Sequence, residues 1–208
     1  MKNKLTLLFF SFLMICFYTN LNAQSYIGIE GGGYIAPGET GLKIGIVSDF
    51  KIKKFLSFHP ELIYIQKGVS LPLENLSNEI TYRSPKVDYI QIPIMFNFSL
   101  DMNTLSFQVF AGPYISYGLK ASAINIEDIN NPYKEIFTFE DINTHRLDFG
   151  ASFGTSLVLE IAKAKKMFLD LRYNLGLRDI NADPVGSTFN EGTSLTMGFM
   201  IPLKRKEE

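Results

Sequence analysis

Eight segments in which apolar and polar side chains alternate constrain the fold of this chain more than any other feature. Residues two apart in a β-strand share a face, whereas the apolar positions of an amphipathic helix recur every three or four residues. In the sixth segment, Leu147, Phe149, Phe153 and Leu157 fall on one face, opposite polar or small residues. The segments span residues 25–35, 41–50, 55–68, 86–100, 104–119, 145–161, 166–177 and 192–203. This pattern predicts an all-β domain.

The first 23 residues read as a targeting segment. A basic MKNK start precedes an apolar run at residues 5–18, and TNLNAQ offers small residues for cleavage after Ala23. The apolar run is shorter than the ~20 residues of a spanning helix. We therefore expect residues 1–23 to be a cleaved signal peptide and residues 24–208 to form the barrel domain. An uncleaved anchor helix is the alternative.

The single cysteine, Cys16, falls inside this leader. A lipoprotein signal needs a small residue before the cysteine, and Ile15 is bulky, so lipidation at Cys16 is disfavoured. With cleavage after Ala23, the mature chain is expected to have no disulfide, thiolate nucleophile or Cys-ligated metal.

Composition excludes some partners and favours strands. Lys plus Arg number 20 and Asp plus Glu number 21, a formal net charge of -1, so we expect no nucleic-acid partner. The 18 Phe, 10 Tyr and 16 Gly suit many strands joined by turns.

Two architectures fit strands of this kind. In a soluble periplasmic ligand-binding β-barrel the apolar face is the core, and Ile92, Ile94, Leu157 and Leu171 are buried. In a transmembrane barrel these residues face lipid and the polar alternates point into the lumen. Several segments match the ~9–11 residues that a tilted membrane strand needs.

The connections separate the two architectures. Short links at residues 51–54, 101–103 and 162–165 alternate with longer ones at 69–85, 120–144 and 178–191, and only 36–40 is brief where length is allowed. Short periplasmic turns, longer outer loops and an even strand count are typical of bacterial outer-membrane barrels. We therefore predict an eight-stranded antiparallel up-and-down transmembrane β-barrel with both mature termini in the periplasm.

A charged lumen follows from this reading. Glu61 lies within an apolar run but alternates with Leu62, so it points inward. Eight strands leave an interior that side chains just fill, and charges there must be paired. The predicted polar network is Glu61, Arg146, Asp148, Asp170 and Arg172. The other predicted lumen residues are Glu30, Lys43, Asp49, Gln91, Gln108 and Glu160.

Catalytic, cofactor and metal sites find no support in the sequence. The glycines after Glu30 lack the following helix that a phosphate site requires. His59 and His145 have no metal-ligand spacing, and no carboxylate that would orient a His beside a Ser can be identified. We therefore expect no enzyme activity, no cofactor and no metal. The segment 120–144 is acidic with interspersed aromatics, and its predicted interaction residues are Glu127, Asp128, Tyr133 and Phe137.

Six motifs in order resemble the PorT-like outer-membrane β-barrel family. They are GLKIGI at 41–46, HPELIYIQKG at 59–68, YIQIPIMF at 89–96, FAGPYISYGL at 110–119, LDFGASFG at 147–154 and RYNLGLRDI at 172–180. The resemblance implies export, barrel insertion and usually no known reaction. Its founding member is associated with type IX secretion and gliding, and most other members have no assigned role. No motif here identifies the secretion subset, so the resemblance implies a link to secretion or envelope function without assigning the secretion role itself.

The closing strand departs from that family pattern. Such barrels often end in an aromatic residue that the barrel assembly machinery reads, whereas Phe199 is the last aromatic here. Expected partners are outer-membrane lipid, that machinery and an envelope protein, with the chain itself a monomer. A narrow channel and a lipid-modifying enzyme remain alternative functions.

Overall fold

The computed structural model describes residues 25–36, 39–68, 86–125, 133–139, 144–161, 164–181 and 187–203. Within these ranges the regular secondary structure is almost entirely strand. The strands are β1 Ser25–Ala36, β2 Glu39–Lys53, β3 Leu56–Gly68, β4 Lys86–Met102, β5 Leu105–Asn125, β6 Tyr133–Phe137, β7 Leu147–Ile161, β8 Lys165–Gly176 and β9 Glu191–Pro202. The described part of the chain contains no helix of sufficient length and apolarity to cross a membrane.

Eight of these strands close into a barrel. Each of β1 to β5 pairs antiparallel with its neighbour, β5 pairs with β7, and β7, β8 and β9 continue the sheet. The pairing of β1 with β9, from Tyr26↔Pro202 to Ile35↔Thr193, closes the circle. The predicted eight-stranded antiparallel barrel is therefore confirmed.

The ninth strand corrects one part of the sequence reading. Residues 120–144 were expected to be a loop, but β5 continues to Asn125 and β6 pairs back onto it. Beyond Tyr117, where its pairing with β7 ends, β5 is joined by β6 through Ala121↔Phe137. Part of this connection is therefore a hairpin that extends the barrel wall.

Tight turns lie at one end of the barrel. Residues 54–55 join β2 to β3, and residues 103–104 join β4 to β5. Asn103 has φ of 56°, a left-handed conformation that Asn adopts more readily than most residues. The strand ends that the longer connections join lie at the opposite end. Short turns are periplasmic in outer-membrane barrels, and the long-connection end is extracellular.

The outer face of the barrel is apolar. Along β8, and along β4 up to Leu100, every second residue is buried and the residues between them are half-buried or exposed. Ile92, Ile94, Leu157 and Leu171 are 38–52% exposed. A soluble barrel would require them to be buried, so that alternative is wrong. Soluble proteins rarely leave so continuous an apolar surface uncovered.

An aromatic cluster lies on this outer face toward the short-turn end. The rings of Phe50 and Phe58 are 6.4 Å apart, and those of Phe58 and Phe96 are 5.7 Å apart. These residues occupy neighbouring positions across β2, β3 and β4. Aromatic girdles at the membrane interface are a feature of transmembrane barrels, so the cluster marks one edge of the lipid-facing band.

Candidate functional site

A bidentate ion pair crosses the middle of the lumen. Arg172 on β8 donates from Nη1 and Nη2 to the two carboxylate oxygens of Glu61 on β3, at 2.7 and 2.6 Å. Both side chains are almost fully buried. Asp170 Oδ2 lies 3.7 Å from the same guanidinium. Parallel N–H···O bonds of this kind are the strongest geometry available to arginine and a carboxylate.

A second pair joins the neighbouring strands β1 and β2. Lys43 Nζ lies 2.9 Å from Glu30 Oε1, and neither side chain is exposed. Thr196 on β9 donates its hydroxyl to Glu30 Oε2 at 3.2 Å. Glycine surrounds this pair on β1, since Gly28 and Gly32 share the lumen face of Glu30. A β-carbon at Gly32 would lie 2.7 Å from Cα of Thr196, so the strands approach too closely there for a larger residue.

His59 connects two carboxylates below the central pair. Its Nε2 lies 3.4 Å from Glu61 Oε1, and its Nδ1 lies 3.7 Å from Asp49 Oδ1. Lys166 Nζ is 3.9 Å from the other oxygen of Asp49. The charged groups of β2, β3 and β8 therefore form one chain of contacts from the short-turn end to the centre of the lumen.

A small cavity of about 10 Å³ adjoins His59, Asp170 and Arg172. Asn97, Gln108 and Ser156 supply further polar groups to its wall. A cavity of this volume has room for about one water molecule. Pockets that bind small ligands are usually at least about 300 Å³. The cavity therefore suits a structural water better than a substrate.

A third ion pair lies toward the extracellular end. Lys67 Nζ donates to Asp148 Oδ2 at 3.0 Å, and both side chains are buried. Asn190 Nδ2 donates to the same oxygen at 3.1 Å and lies 3.3 Å from the Tyr89 hydroxyl. The ammonium of Lys67 also lies 4.7 Å from the ring centroid of Tyr114. Aromatic faces stabilise a cation that has little access to water.

Buried apolar clusters lie toward both ends of the lumen. At the extracellular end, Phe139 and Ile180 from the connections pack with an apolar layer of strand residues. That layer consists of Tyr34, Ala36, Ile63, Ile65, Val87, Tyr89 and Ala121. At the other end the cluster is Tyr26, Val47, Val158, Phe168 and Met200. The lumen is therefore filled along its length by buried apolar and charged side chains.

The structure separates the residues of the predicted lumen network. Glu61, Asp170 and Arg172 come together, whereas Asp148 lies elsewhere and pairs with Lys67. Arg146 departs from the prediction. It is exposed, and its guanidinium lies 4.6 Å from the ring centroid of Phe139. The reason is that β7 begins only at Leu147, so the alternation of the strand does not extend to the residue before it.

Other predicted residues also have defined positions. Glu30, Lys43, Asp49, Gln91 and Gln108 are buried. Glu160 was expected in the lumen but is exposed near the short-turn end, where the wall no longer encloses its side chain.

The predicted interaction residues fall partly within the described ranges. Glu127 and Asp128 lie outside the described residues. Tyr133 and Phe137 are the first and last residues of β6, opposite Asn125 and Ala121 of β5. They therefore belong to the hairpin that extends the barrel wall at the extracellular end.

Sequence reasoning missed Lys67. Lys67 is not among the predicted lumen residues, yet it has the same parity as His59 and Glu61 and is fully buried. The signal was obscured because Ile63 and Ile65, also on the lumen face, are apolar. Following the alternation of faces to the end of the strand predicts that Lys67 points into the lumen.

Among the described residues, no group of three or more His, Cys, Asp or Glu side chains is arranged to hold a metal ion. The His59 imidazole and the surrounding carboxylates have ion-pair partners within the lumen.

A closed antiparallel barrel with an apolar outer face and a charged, plugged lumen defines a small integral outer-membrane β-barrel protein. The chain belongs to the outer membrane protein beta-barrel domain family, which matches residues 11–182. No curated protein sequence matches it.

Solved structures of outer-membrane barrels resemble this chain. A major outer membrane protein from Thermus thermophilus has the same fold and superposes with a TM-score of 0.58 at 8% identity, covering 88% of this chain and 100% of that one. Neisserial surface protein A matches with a TM-score of 0.45 at 14% identity, covering 86% and 95%. Ail, the attachment invasion locus protein of Yersinia pestis, gives 0.41 at 10% identity, covering 86% and 97%.

Proposed function

We propose that this protein is a non-enzymatic outer-membrane barrel of the structural or interaction type. Its strands anchor it in lipid, and its extracellular connections present a binding surface for an envelope protein partner. The observation that carries the proposal is a lumen filled by buried side chains, with a cavity of only about 10 Å³ at its centre. Because a filled interior favours neither conduction nor ligand entry, function falls to the surfaces outside the membrane.

The extracellular hairpin is the best-defined of those surfaces. β5 has 21 residues and β6 has 5, so this part of the wall rises above the pairing of β5 with β7. Ile136 on β6 is 64% exposed. Phe139 lies two residues beyond β6 and is buried over the lumen, which anchors the hairpin to the barrel. Anchored connections with exposed apolar residues are suited to partner recognition.

The same proposal includes the export of the chain and its insertion into the outer membrane. Residues 1–23 are a signal peptide removed after Ala23, and the barrel assembly machinery inserts the mature chain as a monomer. Membership of the PorT-like group, with its link to secretion, stays a prediction based on the six motifs.

A site-specific photo-crosslinker tests the binding surface. Benzoylphenylalanine at Ile136 should give a discrete adduct with an envelope protein in intact cells. The matched control is the same probe at Phe55, an apolar residue that is 52% exposed at the short-turn end. The proposal would be contradicted if no protein adduct formed at Ile136, or if adducts formed equally at Ile136 and Phe55. Steady conductance steps from the purified barrel in a planar bilayer would instead favour a channel.

A further inference from the structure

A second charged feature lies outside the lumen, on the rim at the short-turn end. Lys53 ends β2, Lys54 follows it in the turn, and Lys165 begins β8. All three residues are exposed. β2, β1, β9 and β8 are consecutive in the barrel, so these lysines border one arc of the rim. We call Lys53, Lys54 and Lys165 the basic arc.

The basic arc lies at the depth expected for lipid headgroups. Ile52 and Met167 are outward-facing residues, 46% and 40% exposed, within two positions of these lysines along the chain. The aromatic cluster that includes Phe50 marks the edge of the apolar band at the same end. A lysine that starts beside apolar surface extends its stem along that surface and places its ammonium among polar headgroups.

The charges of the basic arc are available to an outside partner. None of the three lysines takes part in the ion pairs of the described residues. The adjacent Lys51 lies 3.9 Å from Asp101. Among the described residues, the exposed carboxylates at this end are Asp101 and Glu160, which belong to β4 and β7, outside the arc from β2 to β8.

We infer that the basic arc binds the anionic phospholipid headgroups of the periplasmic leaflet. Charge complementarity selects this occupant, because the arc is cationic, borders the lipid-facing band and lies at the periplasmic end of the barrel. A lysine at an anionic membrane surface contributes a factor of about five to a binding or folding equilibrium. The inference is independent of the extracellular partner.

Unfolding in bilayers of defined composition tests this inference. The full mature barrel is folded into phosphatidylcholine vesicles with and without phosphatidylglycerol in the leaflet that meets the short-turn end. Its unfolding equilibrium is measured in urea at low ionic strength, because a salt such as guanidinium chloride would screen the attraction between lysine and headgroup. The unmodified barrel should be more stable in the anionic vesicles. The quantity compared is the ratio of the folding equilibrium constants in the two bilayers. The Lys54→Gln, Lys165→Gln variant should reduce this ratio about 25-fold, at about five-fold for each lysine. Comparison between bilayers cancels any general effect of the substitutions on folding.

Two controls locate the effect. Lys86→Gln with Lys120→Gln removes two lysines at the extracellular end and should leave the difference between bilayers intact. Free glycerol phosphate added to phosphatidylcholine vesicles should not reproduce the stabilisation, since the site recognises headgroups held at the membrane surface. Equal losses in the two double variants, or stabilisation by free glycerol phosphate, would overturn the inference.

Discussion

The Arg172–Glu61 pair allows a quantitative test of how the lumen is held together. We predict that Glu61→Gln and Arg172→Met each destabilise the barrel strongly, whereas the double variant loses no more than one single variant. Two N–H···O bonds of 2.6 and 2.7 Å place the charge centres about 4 Å apart, and at an effective dielectric constant of about 20 their attraction is about 4 kcal/mol. Removing one partner leaves the other buried without its counter-ion.

The structure also limits the size of each loss. Breaking a buried pair from one side usually costs about 3–5 kcal/mol. Asp170, at 3.7 Å from Arg172, and His59, at 3.4 Å from Glu61, partly compensate, so we expect about 3 kcal/mol for each single variant. Replacing both charges still leaves Asp170, 3.7 Å from Arg172 in the unmodified barrel, without its cation, so the double variant should lose about as much as one single variant and not the sum of the two.

A double-mutant cycle in lipid vesicles measures this coupling. The folded fraction is followed in guanidinium chloride by the gel shift between unheated and boiled samples, and by tyrosine fluorescence. The control cycle uses Lys86 and Glu39, a pair 3.3 Å apart whose side chains are 29% and 15% exposed. That pair should couple by less than about 1 kcal/mol. If the two single losses at Glu61 and Arg172 simply add, the lumen pair is not the tightly coupled unit described above.

Three further predictions test the outer face and the extracellular connections. A spin label on Ile94→Cys should collide more with oxygen than with a water-soluble nickel chelate, and the opposite order would contradict the lipid-facing assignment. A β-carbon in Gly118→Ala would lie 2.5 Å from the Phe139 ring, so that ring must move and residues 120–144 should become more sensitive to protease while the gel shift is retained. The Asp179 carboxylate accepts the backbone N–H groups of Thr188 and Asn181 at 2.9 and 3.0 Å, which lowers the pKa of Asp179 below its ordinary value. The stabilisation of this connection by the Asp179 carboxylate is therefore complete above the ordinary pKa and is lost as pH falls through the lowered pKa. Amide exchange at Thr188, corrected for intrinsic rates, should show this loss in the unmodified protein but not in Asp179→Asn.

The faces of the strands could be predicted from the sequence, because the side-chain period of a strand is two and the two faces meet different solvents. The partners across the lumen could not. Asp148 and Arg172 lie on adjacent strands, but the register places Arg172 opposite Gly154, six residues and about 20 Å along β7 from Asp148. Arg172 instead reaches Glu61, 111 residues away in sequence. Such contacts depend on how the closed sheet is staggered, which no local pattern encodes.

The buried ion pairs are better explained by register than by stability. Replacing a buried pair with uncharged residues of similar size is often neutral, so a pair such as Arg172–Glu61 adds little net free energy of folding. A one-residue slip of β8, however, would turn Asp170 and Arg172 toward lipid and Leu171 into the lumen. An arginine facing lipid near the midplane costs about 2–4 kcal/mol. The pair therefore penalises the wrong register. The Glu61→Gln, Arg172→Met variant should accordingly refold with a lower yield of the single gel-shifted band, even under conditions in which its correctly folded form is stable. An unchanged refolding yield would show that the ion pair does not select the register of β8 and only fills space in the lumen.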